Sequence, residues 1–266
     1  MQFFIFYFLF FIFYFLFLQK VKTHINFLKM KTKILLVSFF AFVGSIAYAQ
    51  SSDSAKNKEC NARLLLGISG GYTHNSLTTS VGYRPFTAYE SMGGFTVGVP
   101  VVYQFAGWVG LQTEPSVIRK SYRWTRTEFY ALDPILPYQE TKNTYLQLPL
   151  MARFSFGGEN LRGFCTPGAF AGYWAGSRIN GVTDNEEQLY EYDEPFEFDT
   201  RRDNRFEYGL SMGLGLEYNC NNVCTFALEG RYLYSLSDLQ KDYMKQQIPR
   251  YNNTIVVQAS VLFNLF

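Results

Sequence analysis

From about residue 62 onward, the chain alternates between apolar and polar or small positions. A period of two marks strands with unlike faces. Residues 206–218 show it most plainly. Phe206, Tyr208, Leu210, Met212, Leu214, Leu216 and Tyr218 share one face, and Glu207, Gly209, Ser211, Gly213, Gly215 and Glu217 share the other. Phe95, Val97, Val99, Val101, Tyr103 and Phe105 form a second row. Leu146, Leu148, Leu150, Ala152, Phe154 and Phe156 form a third, and Ile255, Val257, Ala259, Val261, Phe263 and Leu265 a fourth. The pattern predicts strands at 62–73, 92–105, 108–124, 142–156, 162–178, 205–218, 223–235 and 251–266, with no competing helical period. Connections at 106–107, 157–161 and 219–222 are short, whereas those at 74–91, 125–141, 179–204 and 236–250 are long. Short turns on one rim and long loops on the other are the pattern of outer-membrane barrels. The expected fold class is all-β: a closed antiparallel up-and-down transmembrane β-barrel of about eight strands.

Alternation alone does not say which face is dry. A soluble barrel would turn its apolar rows inward. Three features favour lipid outside. The polar faces are rich in Gly and Ser, which suit the interior of a narrow barrel rather than a solvated surface. Aromatic residues end the apolar rows, as at Phe206 and Tyr218, resembling interfacial girdles. The chain ends on Phe266 directly after a strand, the kind of signal that barrel-assembly machinery reads. Phe266 is out of phase with the row ending at Leu265, so a bulge or a terminal twist is expected there.

The N-terminus adds export. Residues 30–49 read as a signal peptide, with Lys31 and Lys33, an apolar stretch from Ile34 to Ile46, and Ala47-Tyr48-Ala49 as the cleavage site. Residues 1–29, with a run of Phe, Ile, Tyr and Leu from Phe3 to Leu18, read as an extension ahead of a true start at Met30. Residues 50–61 are a flexible lead-in, and 62–266 are the barrel. Removing the five lysines of residues 1–49 from the 24 basic residues leaves 19 against 22 acids. A mature chain near −3 argues against nucleic acid as a partner.

The inward faces collect charge: Glu114, Arg153, Glu207, Glu217, Glu229 and Arg231, with Gln112 and Gln147. This set reads either as a selective pore or as a plug of ion pairs. The interior of eight strands is just wide enough for side chains, which favours the plug. Glu114 and Arg153 fall on adjacent strands and are expected to pair. The segment 184–199 interleaves Asp184, Glu186, Glu187, Glu191, Asp193, Glu194, Glu197 and Asp199 with Tyr190, Tyr192, Phe196 and Phe198. Arg201, Arg202 and Arg205 follow. It reads as a partner-binding or divalent-cation-binding surface loop, or as a merely solvated one, and its spacing is not that of an EF-hand. Cys60, Cys165, Cys220 and Cys224 cluster at the short-turn rim. An oxidising periplasm allows Cys220–Cys224 and Cys60–Cys165 disulfides, with free thiols as the alternative. No metal site is expected from C-x3-C without a nearby His. The one histidine of the mature chain, His74, falls at the start of the first loop. No base–nucleophile constellation accompanies it, so neither enzymatic activity nor a cofactor is expected.

Three segments carry a resemblance to a known family. Gly110-Leu111-Gln112-Thr113-Glu114-Pro115-Ser116, residues 144–154 (Thr-Tyr-Leu-Gln-Leu-Pro-Leu-Met-Ala-Arg-Phe) and Gly168-Ala169-Phe170-Ala171-Gly172-Tyr173 are similar to strands of the PorT-like outer-membrane barrels. The resemblance spans roughly residues 60–266. It implies an outer-membrane barrel and, through the founding member, an association with protein secretion. The expected role is therefore structural or interactive, in a secretion or envelope assembly. A transport barrel for small solutes or ions is the alternative, and an envelope enzyme using His74 the third. Expected partners are outer-membrane lipid, the barrel-assembly machinery during biogenesis, and a protein bound through extracellular loops.

Overall fold

The computed structural model describes residues 62–79, 87–126, 137–158, 160–185, 188–220, 223–241 and 250–265. The expected extension, signal peptide and lead-in, together with Phe266, lie outside them. Eleven strands form one antiparallel sheet: β1 (Arg63–Thr79), β2 (Thr87–Gly98), β3 (Val101–Ala106), β4 (Val109–Thr113), β5 (Ser116–Arg126), β6 (Tyr138–Gly157), β7 (Leu161–Asn185), β8 (Gln188–Pro195), β9 (Phe206–Cys220), β10 (Cys224–Ser235) and β11 (Arg250–Asn264). β1 pairs with β11 over fifteen register positions, from Leu65↔Asn264 to Thr79↔Arg250, so the sheet closes on itself. Closure gives every spanning strand two neighbours, the condition for a backbone in hydrocarbon.

The ring has eight strands, because β2 with β3 and β4 with β5 are each one spanning strand interrupted at a proline, and β8 lies outside the ring beside β7. Pro100 follows β2 and Pro115 precedes β5. Neither has an N–H to donate to the ladder, but both carbonyls are used, accepting from Gly67 and Val99 respectively. β6 spans the second break: its register jumps from Leu150↔Thr113 on β4 to Gln147↔Ser116 on β5. Pro149, also lacking an N–H, lies in that gap and loses no ladder bond.

The first strand runs past the expected end at 73 to Thr79, so His74 stands in a strand and not in a loop. β6 and β7 are 20 and 25 residues long, whereas about nine to eleven tilted residues cross the hydrocarbon core. The surplus projects on the long-loop side. There the supposed loop 179–204 contains β8, which among the described residues pairs only with β7. A bulge between Thr144 and Tyr145, opposite Trp174 and Gly176, shifts the β6–β7 register. Below it, Ala171 and Tyr173 face outward; above it, Ser177 turns in to Asn143 and Arg178 turns out. Bulges re-aim side chains in this way, and no two-residue period could have shown it. At the opposite end Gly157 (φ 131°) makes the tight β6–β7 turn in a conformation that favours glycine.

The facing is that of a membrane barrel. Leu146, Leu148, Leu150, Phe206 (64% exposed), Leu210 and Leu216 look outward, while Arg153 (1%) and Lys120 (0%) are buried. Among the described residues no helix is long and apolar enough to cross a membrane; the crossing is made by strands.

Small residues make room inside. Glu229 of β10 reaches across Gly213 of β9 to accept from Thr166 Oγ1 of β7 at 2.7 Å. A Cβ at Gly213 would stand 2.2 Å from both oxygens. Gly213→Leu is therefore expected to abolish the heat-modifiable gel mobility of the refolded chain. Wild-type mobility and urea resistance would show that the lumen has slack.

Candidate functional site

The lumen is filled in layers. Toward the short turns, the Arg153 guanidinium of β6 bonds Gln112 of β4 and Glu217 of β9, each at 2.5 Å. It lies 3.7 Å over the Phe164 ring of β7. In the middle, Arg231 bridges Glu114 at 2.7 Å and Glu229 at 2.8 Å. The Gln258 amide donates to both carboxylates, and Ser69 donates to Glu114 at 2.5 Å. Higher, the Lys120 ammonium meets Glu207 at 2.6 Å and sits about 5 Å over the rings of Tyr145 and Phe170. Asn252 donates to Glu207 and Tyr145, and Asn75 donates to Asn252. At the long-loop end, Ile118, Tyr122, Trp174, Leu233 and Leu239 form an apolar cap.

All six charged residues picked from the pattern point into this interior. The expected Glu114–Arg153 pair does not form. The register sets Arg153 opposite Gly110, four positions before Glu114, so each reaches across the lumen to a different strand. Lys120 escaped selection although it is in phase with Gln112 and Glu114. Asn252 and Gln258 likewise share a phase. Following each inward row to its end would have found all three.

The loop aromatics divide. Phe196 stacks on Trp174 (5.7 Å, 18°) and Phe198 meets it edge-on (4.9 Å, 90°), so both close the mouth and neither offers itself to a partner. Tyr192 donates to Gln139 at 3.1 Å. Tyr190 remains 64% exposed on β8. Arg178 braces the hairpin with two bonds to Asp193, at 2.6 and 3.0 Å.

Cys220 and Cys224 are register partners at the end of the β9–β10 hairpin, but both are free thiols, as is Cys165. Cys165 stands inside β7 between Phe154 and Leu214 rather than at its start. Cys60 lies outside the described residues. His74 faces outward opposite Ile255 and Gly93. Among the described residues no cluster of three or more His, Cys, Asp or Glu could hold a metal.

Above the outward apolar rows, burial raises the Glu140 carboxyl, but bonds from Arg123, Asn180 and Lys142 outweigh it. They hold the group below the ordinary carboxylate range. A depressed carboxyl stabilises the fold above its unfolded value, and that contribution is lost as pH falls through the folded one. The cluster is partly exposed, so solvent screening limits it to about 1 kcal/mol. The stability gap between wild type and Glu140→Gln is expected to be open at neutral pH and closed at about pH 3. An unchanged gap would remove this assignment.

Arg153→Ala leaves Glu217 buried without its cation, at an expected loss of about 3–5 kcal/mol. Urea unfolding of the refolded barrel measures it. The Arg153→Met/Glu217→Gln double variant is expected to recover much of the loss. Wild-type stability of Arg153→Ala would mean that the pair carries nothing.

The profile of the family described as outer membrane protein beta-barrel domain matches residues 48–241. A search of curated proteins gives no significant match. Among solved structures, the attachment invasion locus protein Ail of Yersinia pestis, in complex with the heparin analogue sucrose octasulfate, is similar at 16% identity. The match covers 75% of this chain and 99% of that one, with a TM-score of 0.38. The outer membrane protein OprG of Pseudomonas aeruginosa is similar at 12% identity, covering 76% and 96%, with a TM-score of 0.42. The outer membrane protease OmpT of Escherichia coli is similar at 9% identity, covering 80% and 99%, with a TM-score of 0.34. With most of its length matched by the family profile and its apolar rows turned outward, this chain belongs to the outer membrane protein beta-barrel domain family and resides in the bacterial outer membrane.

Proposed function

We propose that this protein is a non-conducting, non-catalytic outer-membrane barrel with a structural or interaction role. Its lumen is a plug, and its partner contact is the projecting β7–β8 hairpin. The observation that carries the reading is the filled interior: Arg153, Lys120 and Arg231 are each engaged across the lumen by carboxylates. A solute or ion would have to break those pairs in a low-dielectric space, which is strongly unfavourable.

The hairpin supports the interaction half of the proposal. β8 is the last strand in the sheet order, with β7 as its one neighbour among the described residues. An open strand edge is a template for an added strand, and exposed Tyr190 provides an aromatic contact beside it. The resemblance to PorT-like barrels favours a protein-secretion or envelope assembly as the setting. Export through residues 30–49 and insertion by the barrel-assembly machinery belong to the same reading.

Two measurements on the full chain test it. In planar bilayers the refolded barrel is expected to show no unitary conductance; steady channels would replace the plug with a transport function. In cells, a tagged barrel is expected to retain a crosslinked protein partner that a variant lacking Gln188–Pro195 loses. Equal capture by both would remove the hairpin from the proposal.

A further inference from the structure

Beyond the charged layers, the long-loop ends of the strands enclose a cavity of about 380 Å³, a size typical of small-molecule sites. Its walls are largely flat and aromatic. Tyr89, Tyr122 and Trp124 come from β2 and β5, Trp174 from β7, and Phe196 from the segment after β8. Four of them belong to stacked or tilted ring pairs, Trp174–Phe196 at 5.7 Å and Tyr89–Tyr122 at 6.4 Å, and are held in place by their neighbours.

The polar groups of the cavity are unbalanced in one direction. The Trp174 side chain is 4% exposed, and its indole N–H has no hydrogen-bond partner among the described residues. Arg250 Nε is also buried without a partner. Both are donors, and among the described lining residues no buried side-chain oxygen is without a hydrogen-bond partner. Asp203, the one carboxylate among the described wall residues, is already committed. It accepts from Arg202 Nε and Nη2 at 2.8 and 2.9 Å and from the Asp199 N–H at 2.9 Å. Asp238 accepts from the Arg250 main-chain N–H and not from its guanidinium. Unmet buried donors are unfavourable by about 1–3 kcal/mol each and are rare in native folds.

We infer that this cavity is a binding site for a planar organic anion: an aromatic or heteroaromatic ring bearing a carboxylate. The ring lies against the aromatic walls, where offset or edge contacts are favourable. The carboxylate accepts from Arg250 and from the Trp174 indole, and a charge-assisted bond of this kind is about twice as strong as a neutral one. The inference is independent of whether the lumen conducts, because the cavity lies above the charged layers.

The probe is 2-naphthoate, with 2-naphthylmethanol as a neutral molecule carrying the same ring. Full-length protein refolded in detergent is titrated by equilibrium dialysis, with protein-free micelles subtracted, and by intrinsic tryptophan fluorescence. Saturable one-to-one binding of the acid is expected, with the alcohol about tenfold weaker. Arg250→Gln is expected to lose about the same factor. Trp174→Phe, which keeps a ring and removes the N–H, is expected to weaken binding about fivefold. Arg162→Gln, at the short-turn end of the barrel, should bind as wild type. Heat-modifiable mobility confirms that each variant is folded. Unsaturable uptake, equal affinity for acid and alcohol, or full affinity in folded Arg250→Gln would each overturn the assignment.

Discussion

The constraint on which the rest depends is closure of the backbone ladder by β1 and β11. A strand in hydrocarbon cannot leave an edge unpaired, because no water is present to take the free N–H and C=O groups. The fifteen-position register between the first and last strands removes that edge. Once the ring is closed, each strand has one face to lipid and one to a narrow interior, and residue choice follows. Outward positions take Leu, Val, Phe and Tyr, and inward positions take residues that can satisfy one another. The two proline breaks are compatible with closure because each proline's carbonyl still finds a donor.

The interior works because its charges are shared among strands far apart in sequence. Arg231 and Glu114 are 117 positions apart, and Lys120 and Glu207 are 87 apart. Four carboxylates, Glu114, Glu207, Glu217 and Glu229, face three cations. The excess is met by neutral donors, with Gln258, Ser69 and Thr166 on Glu114 and Glu229, and Asn252 on Glu207. Such pairs are weak evidence of net stability, since desolvation offsets much of their attraction. Their effect here is to fill the passage with groups that lose heavily if separated.

Strand length sets how far the protein projects beyond the lipid. β7 continues well past the lipid, and its bulge at Ala175 turns the continuation so that Trp174 points inward while Arg178 points out. One strand thereby helps close the mouth and also carries the hairpin that projects from it. Phe196 and Phe198 fold back onto Trp174, which leaves β8 as the outermost edge and frames the aromatic cavity beneath.

The all-β class, the eight spanning strands and the rows that meet lipid are legible in the residue pattern alone. These are local properties: a period of two is written residue by residue, and small residues opposite aromatic rows tell a crowded lumen from a wet surface. The same pattern marked Glu114, Arg153, Glu207, Glu217, Glu229 and Arg231 as inward. Tertiary structure alone decided their partners, because strand register and tilt, not phase, choose which side chains meet across a lumen. It likewise decided the fate of Phe196 and Phe198, the strand setting of His74 and the hidden strand β8. Loop composition shows that a segment is aromatic and acidic, but only the packed mouth shows which rings have somewhere to go.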